Sequence, residues 1–457
     1  MVLERAWHHA RAYLESLESC PAGATASLAA LRVSLGRPLS DCGTEAAQVI
    51  DELVEDASQG IVGSVGGRFF GWVIGGAVPA AIAADWLTSI WDQNAALYAC
   101  SPAAAVVEEI AGAWLKDILG LPARASFAFV TGCQMAHVTC LAAARHALLQ
   151  KDGWMVEDEG LSGAPAIRIL ASEHGHGSVA RAATLLGLGR NNIVRLATDP
   201  LGRIEPAALA AQLEDSRPTI VVLQAGDIAT GAFDEFASLV PMAKAKGAWV
   251  HIDGAFGLWA AASPHRRHLL RGVAAADSWA TDGHKWLNVP FDSGYAFVAD
   301  PAAHCAALSH RAAYLTHDAD ARDQIDWNPD WSRRARGFAT YAALRELGRA
   351  GIADLVERCC AHAMALVDGL RNVRGIRIVS EPIINQGLVR FLGEDASDAE
   401  NDARTDAVIA AVNAGGEAFF SGSTWHGRRV MRISVCNWRT SDADIERAIV
   451  AIRKASA

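Results

Sequence analysis

The chain lacks paired cysteines of the metal-binding kind. Among its nine cysteines, Cys359 and Cys360 are adjacent and the others are scattered among apolar residues, with no Cys-x-x-Cys. Neither a zinc ribbon nor a disulfide framework is suggested, so reduced thiols and a cytoplasmic setting are expected. Basic residues are also in short supply: 41 Lys and Arg stand against 51 Asp and Glu, a formal net charge of -10. A phosphate-backbone binder needs clustered cations. The short runs "HRRHLLR" from His265 and "SRRAR" from Ser332 read as solvated faces or ion-pair partners, so nucleic acid is not an expected partner. Long apolar runs are missing too. "GWVIGGAVPAAIAADWL" is interrupted by Pro79 and Asp85 and falls short of the roughly 20 residues a membrane span requires. The N-terminus has no apolar signal-peptide core; Leu3, Trp7, Ala10, Tyr13, Leu14 and Leu17 fall instead on a helical stripe. A soluble protein without membrane partners is expected.

What is present is apolar content of 51% over 457 residues, enough for a large core and for two lobes. Between Ala125 and Val298, β-branched runs alternate with Ala- and Leu-rich helical stretches. "ASFAFVTG" precedes "MAHVTCLAAARHALL", "AIRILAS" precedes "SVARAATLLGLG", "TIVVLQAG" precedes "FASLVPMAKAKG", and "AWVHIDG" follows. This alternation predicts a parallel sheet covered on both faces by helices. Ligands of such sheets bind beyond the carboxyl ends of the strands. There lie "TGC", "SEHGHGS", "AGD" and "DGAFG".

Beyond Gly337 the pattern changes to a long helix, three short strands ("IRIVS", "GLVRFL", "VMRISV") and a final helix opened by Ser441 and Asp444 at capping-box spacing. The expected division is a helical segment over 1–95, a large α/β domain over 96–337 and a small α+β domain over 338–457. The aperiodic polar stretch Leu315 to Ser332 reads as a mobile loop.

One lysine stands out. Lys285, in "SWATDGHKWLNVPFDSG", sits among apolar residues. It is either a solvated surface charge or an amine whose pKa falls in an apolar cleft, able to form a Schiff base with an aldehyde. Asp253 ends the strand "AWVHIDG"; it starts a turn, or faces the crevice to hold a protonated pyridine nitrogen with Ala255 against the ring. "VTGCQMAH" offers a glycine turn and a helix start, whose free N–H groups favour a phosphate. His174 and His176 share a face, but no third ligand cluster completes a metal site, and no metal is expected. An imidazole stacked on a cofactor ring suits His176.

These motifs together resemble the group II pyridoxal 5'-phosphate-dependent decarboxylases, the family of aromatic amino acid and glutamate decarboxylases. The resemblance implies the fold type I of aspartate aminotransferase: a large, mostly parallel seven-stranded sheet domain and a smaller C-terminal α+β domain. "GHKWLNVPFDSG" implies Lys285 as the Schiff-base lysine and His284 as a phosphate or lysine neighbour. "HIDGAFG" implies the pyridine-nitrogen role for Asp253 and the ring-backing role for Ala255. "SEHGHGS" implies His176 as the stacking histidine, and "FVTGCQMAHVTCLAAAR" implies Thr131, Gly132, Cys133 and Gln134 as phosphate anchors. Departures from the family pattern are Cys133, His137, Asp282, Gly283 and Ile228; the last leaves Thr230 to supply any hydroxyl contact to the cofactor.

By the same resemblance, Tyr314 in "HRAAYLTH" stands where aromatic amino acid decarboxylases carry a loop tyrosine that protonates Cα. Arg432 in "VMRISV" matches an arginine that binds substrate carboxylate. Phe70, Trp72 and Asn94 lie in segments that line the substrate pocket, and their aromatics favour a bulky substrate. A homodimer with shared active sites and an N-terminal swapped arm is implied. The activity expected is decarboxylation of an L-amino acid to amine and CO2. The alternatives are an aldolase, another carbon-carbon lyase or an aminotransferase on the same scaffold, and a catalytically silent cofactor-binding homologue.

Overall fold

The computed structural model describes residues 1–310 and 321–457. Seven strands form the large sheet: β1 Ser126–Val130, β2 Arg168–Ser172, β3 Ile193–Leu196, β4 Thr219–Gln224, β5 Trp249–Asp253, β6 Ser278–Asp282 and β7 Gly294–Val298. Their order is β1-β7-β6-β5-β4-β2-β3. β7 runs antiparallel to both β1 and β6, while β2, β3, β4, β5 and β6 pair in parallel. The mostly parallel seven-stranded sheet is therefore as expected. Parallel strands need crossovers, and helices supply them on both faces. Hence β1, β2, β4, β5, β6 and β7 are buried along their whole length.

Three strands escaped the sequence pattern. β3 carries Arg195 and is partly exposed at the sheet edge. β6 reads "SWATD" and β7 "GYAFV"; each is short, with polar or glycine residues breaking the apolar run. The helix Cys133–Gln150 is buried around most of its circumference, because it packs across β5, β6 and β7. A helix enclosed in this way needs no polar stripe.

The second sheet has the order β10-β11-β9-β8, from β8 Ile376–Ser380, β9 Gln386–Phe391, β10 Ser421–Trp425 and β11 Arg428–Ser434. β10, "SGSTW", is the strand that sequence reading missed; glycine and serine carry little β-propensity, and its pairing with β11 sustains it. The final helix Asp442–Ser456 opens as predicted, with the Ser441 hydroxyl and Asp444 carboxylate capping each other's backbone N–H groups. The long helix Gly337–Leu370 is interrupted at Gly348 (φ 57, ψ -178), a conformation only glycine adopts easily.

The chain divides into two compact units, one of residues 1–74, 362–379 and 387–457 and one of residues 75–361 and 380–386. The three segments suggested by sequence do not follow this partition, because the first 74 residues cluster with the C-terminal ones. Arg68 shows why: its buried guanidinium donates to the carbonyls of Leu17, Glu18, Cys20, Gly416 and Glu417. The expectation of a loop across 315–332 also needs correction from Arg322 onward. Gln324 and Ile325 are buried in a short 3-10 helix, and the Arg322 guanidinium lies 4.0 Å from the Phe127 ring centroid and 4.5 Å from that of Trp327.

Candidate active site

Strands β1, β5 and β6 end at one edge of the large sheet and each delivers a candidate residue there. β5 ends on Asp253 and β6 on Asp282, and the turn after β6 carries His284 and Lys285. β1 leads through Thr131 and Gly132 into the helix that starts at Cys133. Gly132 and Gly294 lie back to back: a Cβ on Gly294 would fall 2.3 Å from the Gly132 Cα, so this approach admits only glycine.

Asp282 organises the cluster. Its Oδ1 accepts the Cys133 N–H at 2.6 Å and lies 3.5 Å from His284 Nε2, while its Oδ2 lies 3.2 Å from Lys285 Nζ. The helix N-terminus that the resemblance offers to a phosphate is thus engaged at Cys133 by a carboxylate, in keeping with the preference of helix starts for anions. His284 Nδ1 accepts the Ser293 N–H at 3.1 Å, which places the proton of the neutral ring on Nε2, facing Asp282. Burial lowers the His284 pKa, with the Lys285 charge adding to it against the pull of Asp282. His284 also stacks on Phe291, with ring centroids 4.3 Å apart.

Lys285 departs from expectation. Burial disfavours its ammonium, but Asp282 above all, then Cys133 and Asp253, outweigh that effect, and the pKa is raised, not lowered. The Cys133 thiol is pushed well above its ordinary range by burial and by Asp282, so it is not a ready nucleophile.

The loop bearing Lys285 is held from behind. The Gly75 N–H reaches the His284 carbonyl at 3.4 Å, and the Val78 N–H donates to the Asn288 carbonyl at 2.9 Å. A Cβ on Gly75 would lie 1.7 Å from the Lys285 carbonyl oxygen. Gly75→Ala is therefore expected to displace Lys285 and to destabilise the protein by roughly 1–3 kcal/mol, the scale of overpacking. Thermal melts and the rate of cofactor capture would show it; unchanged values would mean the loop yields freely.

His176 caps the helix Gly177–Leu185, its Nδ1 accepting the Ser178 N–H at 3.2 Å and contacting the Ser178 hydroxyl at 2.7 Å. The ring itself is exposed, as a stacking residue requires. Ala255 donates its N–H to Asp253 Oδ1 at 3.3 Å. Gln134 Nε2 donates to the Ser178 carbonyl at 3.3 Å. Thr230 is fully buried, and its hydroxyl donates to the Leu201 carbonyl at 2.7 Å; a cofactor contact would have to replace that bond. Asn94 Oδ1 accepts the backbone N–H groups of Ala96 and Arg333, both at 3.1 Å, a structural role.

In the other unit, Phe70 is buried and stacks on Phe420, with centroids 5.2 Å apart. Trp72 is 52% exposed and adopts a φ of 49. Arg432 is buried on β11, not a surface charge. Tyr314 lies outside the described residues.

Sequence reading treated His137 only as a departure from a family pattern and passed over His251. Both are fully buried. His137 Nδ1 lies 2.8 Å from His251 Nε2, and His137 Nε2 lies 3.6 Å from Asp253 Oδ2. Two signals pointed there: residues 133 and 137 share a helix face, and 251 and 253 share a strand face. The donor atoms of Cys133, His137 and Asp253 also lie within 4.8 Å of one another, a metal-capable set that spacing along the sequence did not suggest.

The arrangement fits a pyridoxal-type cofactor: an amine for its aldehyde, a strand-end carboxylate for its ring nitrogen, an exposed imidazole and a glycine-lined turn before a helix. Among the described residues no helix is long and apolar enough to cross a membrane.

Residues 39–392 match the family model described as the pyridoxal-dependent decarboxylase conserved domain. The chain is 29% identical to an L-2,4-diaminobutyrate decarboxylase of Rhizobium meliloti, over 82% of this chain and 75% of that protein. It is 24% identical to an aromatic-L-amino-acid decarboxylase of Bacillus atrophaeus, over 96% of this chain and 92% of the relative. Its fold is similar to that of Oryza sativa TDC, solved with PLP and tryptamine, with a TM-score of 0.93 at 23% identity over 100% of this chain and 96% of the other.

Proposed function

Because the chain belongs to the pyridoxal-dependent decarboxylase family, we propose that it removes the α-carboxyl group of an L-amino acid as CO2 and releases the amine, with Lys285 as the residue that bonds to the cofactor. The cofactor of the family is pyridoxal 5'-phosphate, which supplies an aldehyde and an electron-withdrawing ring when bound. The observation that carries the reading is the Lys285 amine 3.2 Å from Asp282 at the strand edge where Asp253 also ends.

Each residue of the site has a part. Lys285 offers the amine, and Asp282 holds it in place. Asp253 is the carboxylate for the ring nitrogen, and Ala255, two residues on, leaves room for a flat ring. His176 covers the opposite face. Thr131, Gly132 and Gln134 form the phosphate turn, the Cys133 N–H being held by Asp282, and His284, with its proton on Nε2, faces Asp282.

The test has two arms. Borohydride reduction in the presence of pyridoxal phosphate, followed by peptide mapping, should attach the cofactor to Lys285. A panel of L-amino acids, diaminobutyrate and the aromatic ones included, should yield CO2 and amine in equal amounts from at least one. Cofactor on another lysine sinks the site assignment; absence of CO2 throughout moves the reading to an aldolase or aminotransferase.

Tyr314→Phe tests the protonation step. If the Tyr314 phenol delivers the proton to Cα, losing the hydroxyl should leave CO2 release largely intact while products shift from amine toward aldehyde or ketone. Side-by-side assay of CO2, amine and carbonyl product decides it. An unchanged amine yield removes Tyr314 from the mechanism.

A homodimer is part of the proposal. Leu3 and Trp7 on the first helix, Val49 and Leu53 on the helix Ala46–Ala57, and Ile90 and Trp91 on the helix Pro79–Trp91 are all exposed. Exposed large apolar side chains of this kind suit an interface. Light scattering should return twice the chain mass.

A further inference from the structure

Behind Asp253 lies a continuous chain of buried polar side chains that the proposed chemistry does not use. Trp249 Nε1–H donates to the Ser278 hydroxyl oxygen at 2.9 Å, Ser278 Oγ lies 2.9 Å from His251 Nδ1, and His251 Nε2 lies 2.8 Å from His137 Nδ1. The chain ends at His137 Nε2, 3.6 Å from Asp253 Oδ2 and without a hydrogen-bond partner.

The fold explains its continuity. His251 and Asp253 point to the same face of β5, two residues apart. Ser278 is the register partner of His251 on β6. The helix bearing His137 crosses that face.

Donor and acceptor roles follow from the Asp253 end, since the Ser278 oxygen, with two lone pairs, accepts from Trp249 in either order. The indole N–H can only donate, so the Ser278 oxygen accepts from Trp249 and its own proton is free to go to His251 Nδ1. His251 then carries its proton on Nε2 and donates it to His137 Nδ1. That leaves the His137 proton on Nε2, facing a carboxylate that can only accept. The reverse order would aim a lone pair at Asp253. Burial lowers the pKa of both imidazoles, that of His251 also through His137, which agrees with one proton per ring. All the bonds thus run one way and polarise one another toward Asp253.

We propose that His137 is a positioning residue: through the chain Trp249–Ser278–His251 it aims an N–H at Asp253 and so fixes the orientation of the carboxylate that holds the ring nitrogen of the cofactor. The proposal rests on the family reading of Asp253 given above. His137 does not touch the reacting atoms. It acts on how strongly Asp253 holds the ring proton.

The test is a double-mutant cycle on the full-length protein with pyridoxal phosphate as the probe. Two readouts apply: the dissociation constant, from quenching of tryptophan fluorescence, and the absorption spectrum of the bound cofactor, which reports ring protonation. His137→Leu should weaken binding about five- to tenfold, less than loss of a full hydrogen bond to a charged group because the N–H stands 3.6 Å from the carboxylate, and shift the spectrum toward the unprotonated ring. His137→Gln keeps an N–H donor and should stay within about threefold of wild type.

In an Asp253→Asn background, His137→Leu should cost little more, because the carboxylate it serves is gone. Equal losses in both backgrounds, or failure of His137→Gln to rescue, would show a structural role and overturn the proposal. Should His137→Leu fold poorly, Ser278→Ala takes its place; it breaks the chain at its middle and should give the same spectral shift, smaller, and again only when Asp253 is present. A wild type that takes up no pyridoxal phosphate overturns the family reading as well. Wild-type uptake with an unchanged His137→Leu overturns this proposal alone.

Discussion

Lys285→Ala is expected to lower turnover by on the order of 10^4-fold or more, the scale on which loss of a reacting side chain acts, and to leave no amine at the site for borohydride to fix. The fold should survive, because Asp282 keeps the Cys133 N–H at 2.6 Å and its His284 neighbour at 3.5 Å. Circular dichroism and a CO2 assay on the same preparation separate the two effects. Residual turnover near wild type would mean that another amine reacts.

The ion pair adds a pH dependence. The Lys285 pKa is raised in the folded protein: burial opposes the charge, but Asp282, Cys133 and Asp253 together outweigh it. For a raised pKa, the stabilisation is fully present below the ordinary lysine value and is lost as pH rises through the folded value. Capture of the cofactor runs the other way, because only the free amine attacks an aldehyde. Below the pKa that fraction grows about tenfold per pH unit. Mixing cofactor-free protein with pyridoxal phosphate should therefore react progressively faster from about pH 7 to about pH 9. Asp282→Asn removes the chief influence that raises the pKa and should speed capture near neutrality. A flat profile in the wild type would contradict the ion pair.

Asp253→Ala should reduce cofactor retention by about 10- to 100-fold, as expected for a lost hydrogen bond between charged groups, and turnover by more. The second loss is larger because a ring nitrogen without its proton also withdraws electrons less strongly from the carbon being broken. Dialysis followed by reconstitution measures retention, and the CO2 assay measures turnover. Normal values for both would remove Asp253 from the site. The effect should exceed that of His137→Leu, which reaches the cofactor only through this carboxylate.

Local chemistry explains why so much was readable in the sequence. Strand runs such as "TIVVLQ" and "WVHID", the capping box of Ser441 and Asp444, the Gly132 turn, and the lysine and aspartate motifs are each set by residues a few positions apart. Their period, turn preference or side-chain class carries the signal directly. From these, together with the family resemblance, the sheet class followed, and Lys285 and Asp253 stand as the candidates. The strands "SWATD" and "SGSTW" did not, because partners across the sheet sustain them against weak local preference. The raised pKa of Lys285 also needed the fold: an apolar neighbourhood in sequence says nothing of a carboxylate placed 3.2 Å away by the turn after β6.

The chain from Trp249 to Asp253 was the least visible. It joins residues of β5 and β6 to a helix that begins more than a hundred positions earlier. Its donors and acceptors meet only because parallel strands 5 and 6 lie in register and the helix Cys133–Gln150 crosses their face. Sequence determined which groups could donate and accept; the order of the strands in the sheet decided which of them would be neighbours, since hydrogen bonds act over about 3 Å and only folding brings distant residues that close.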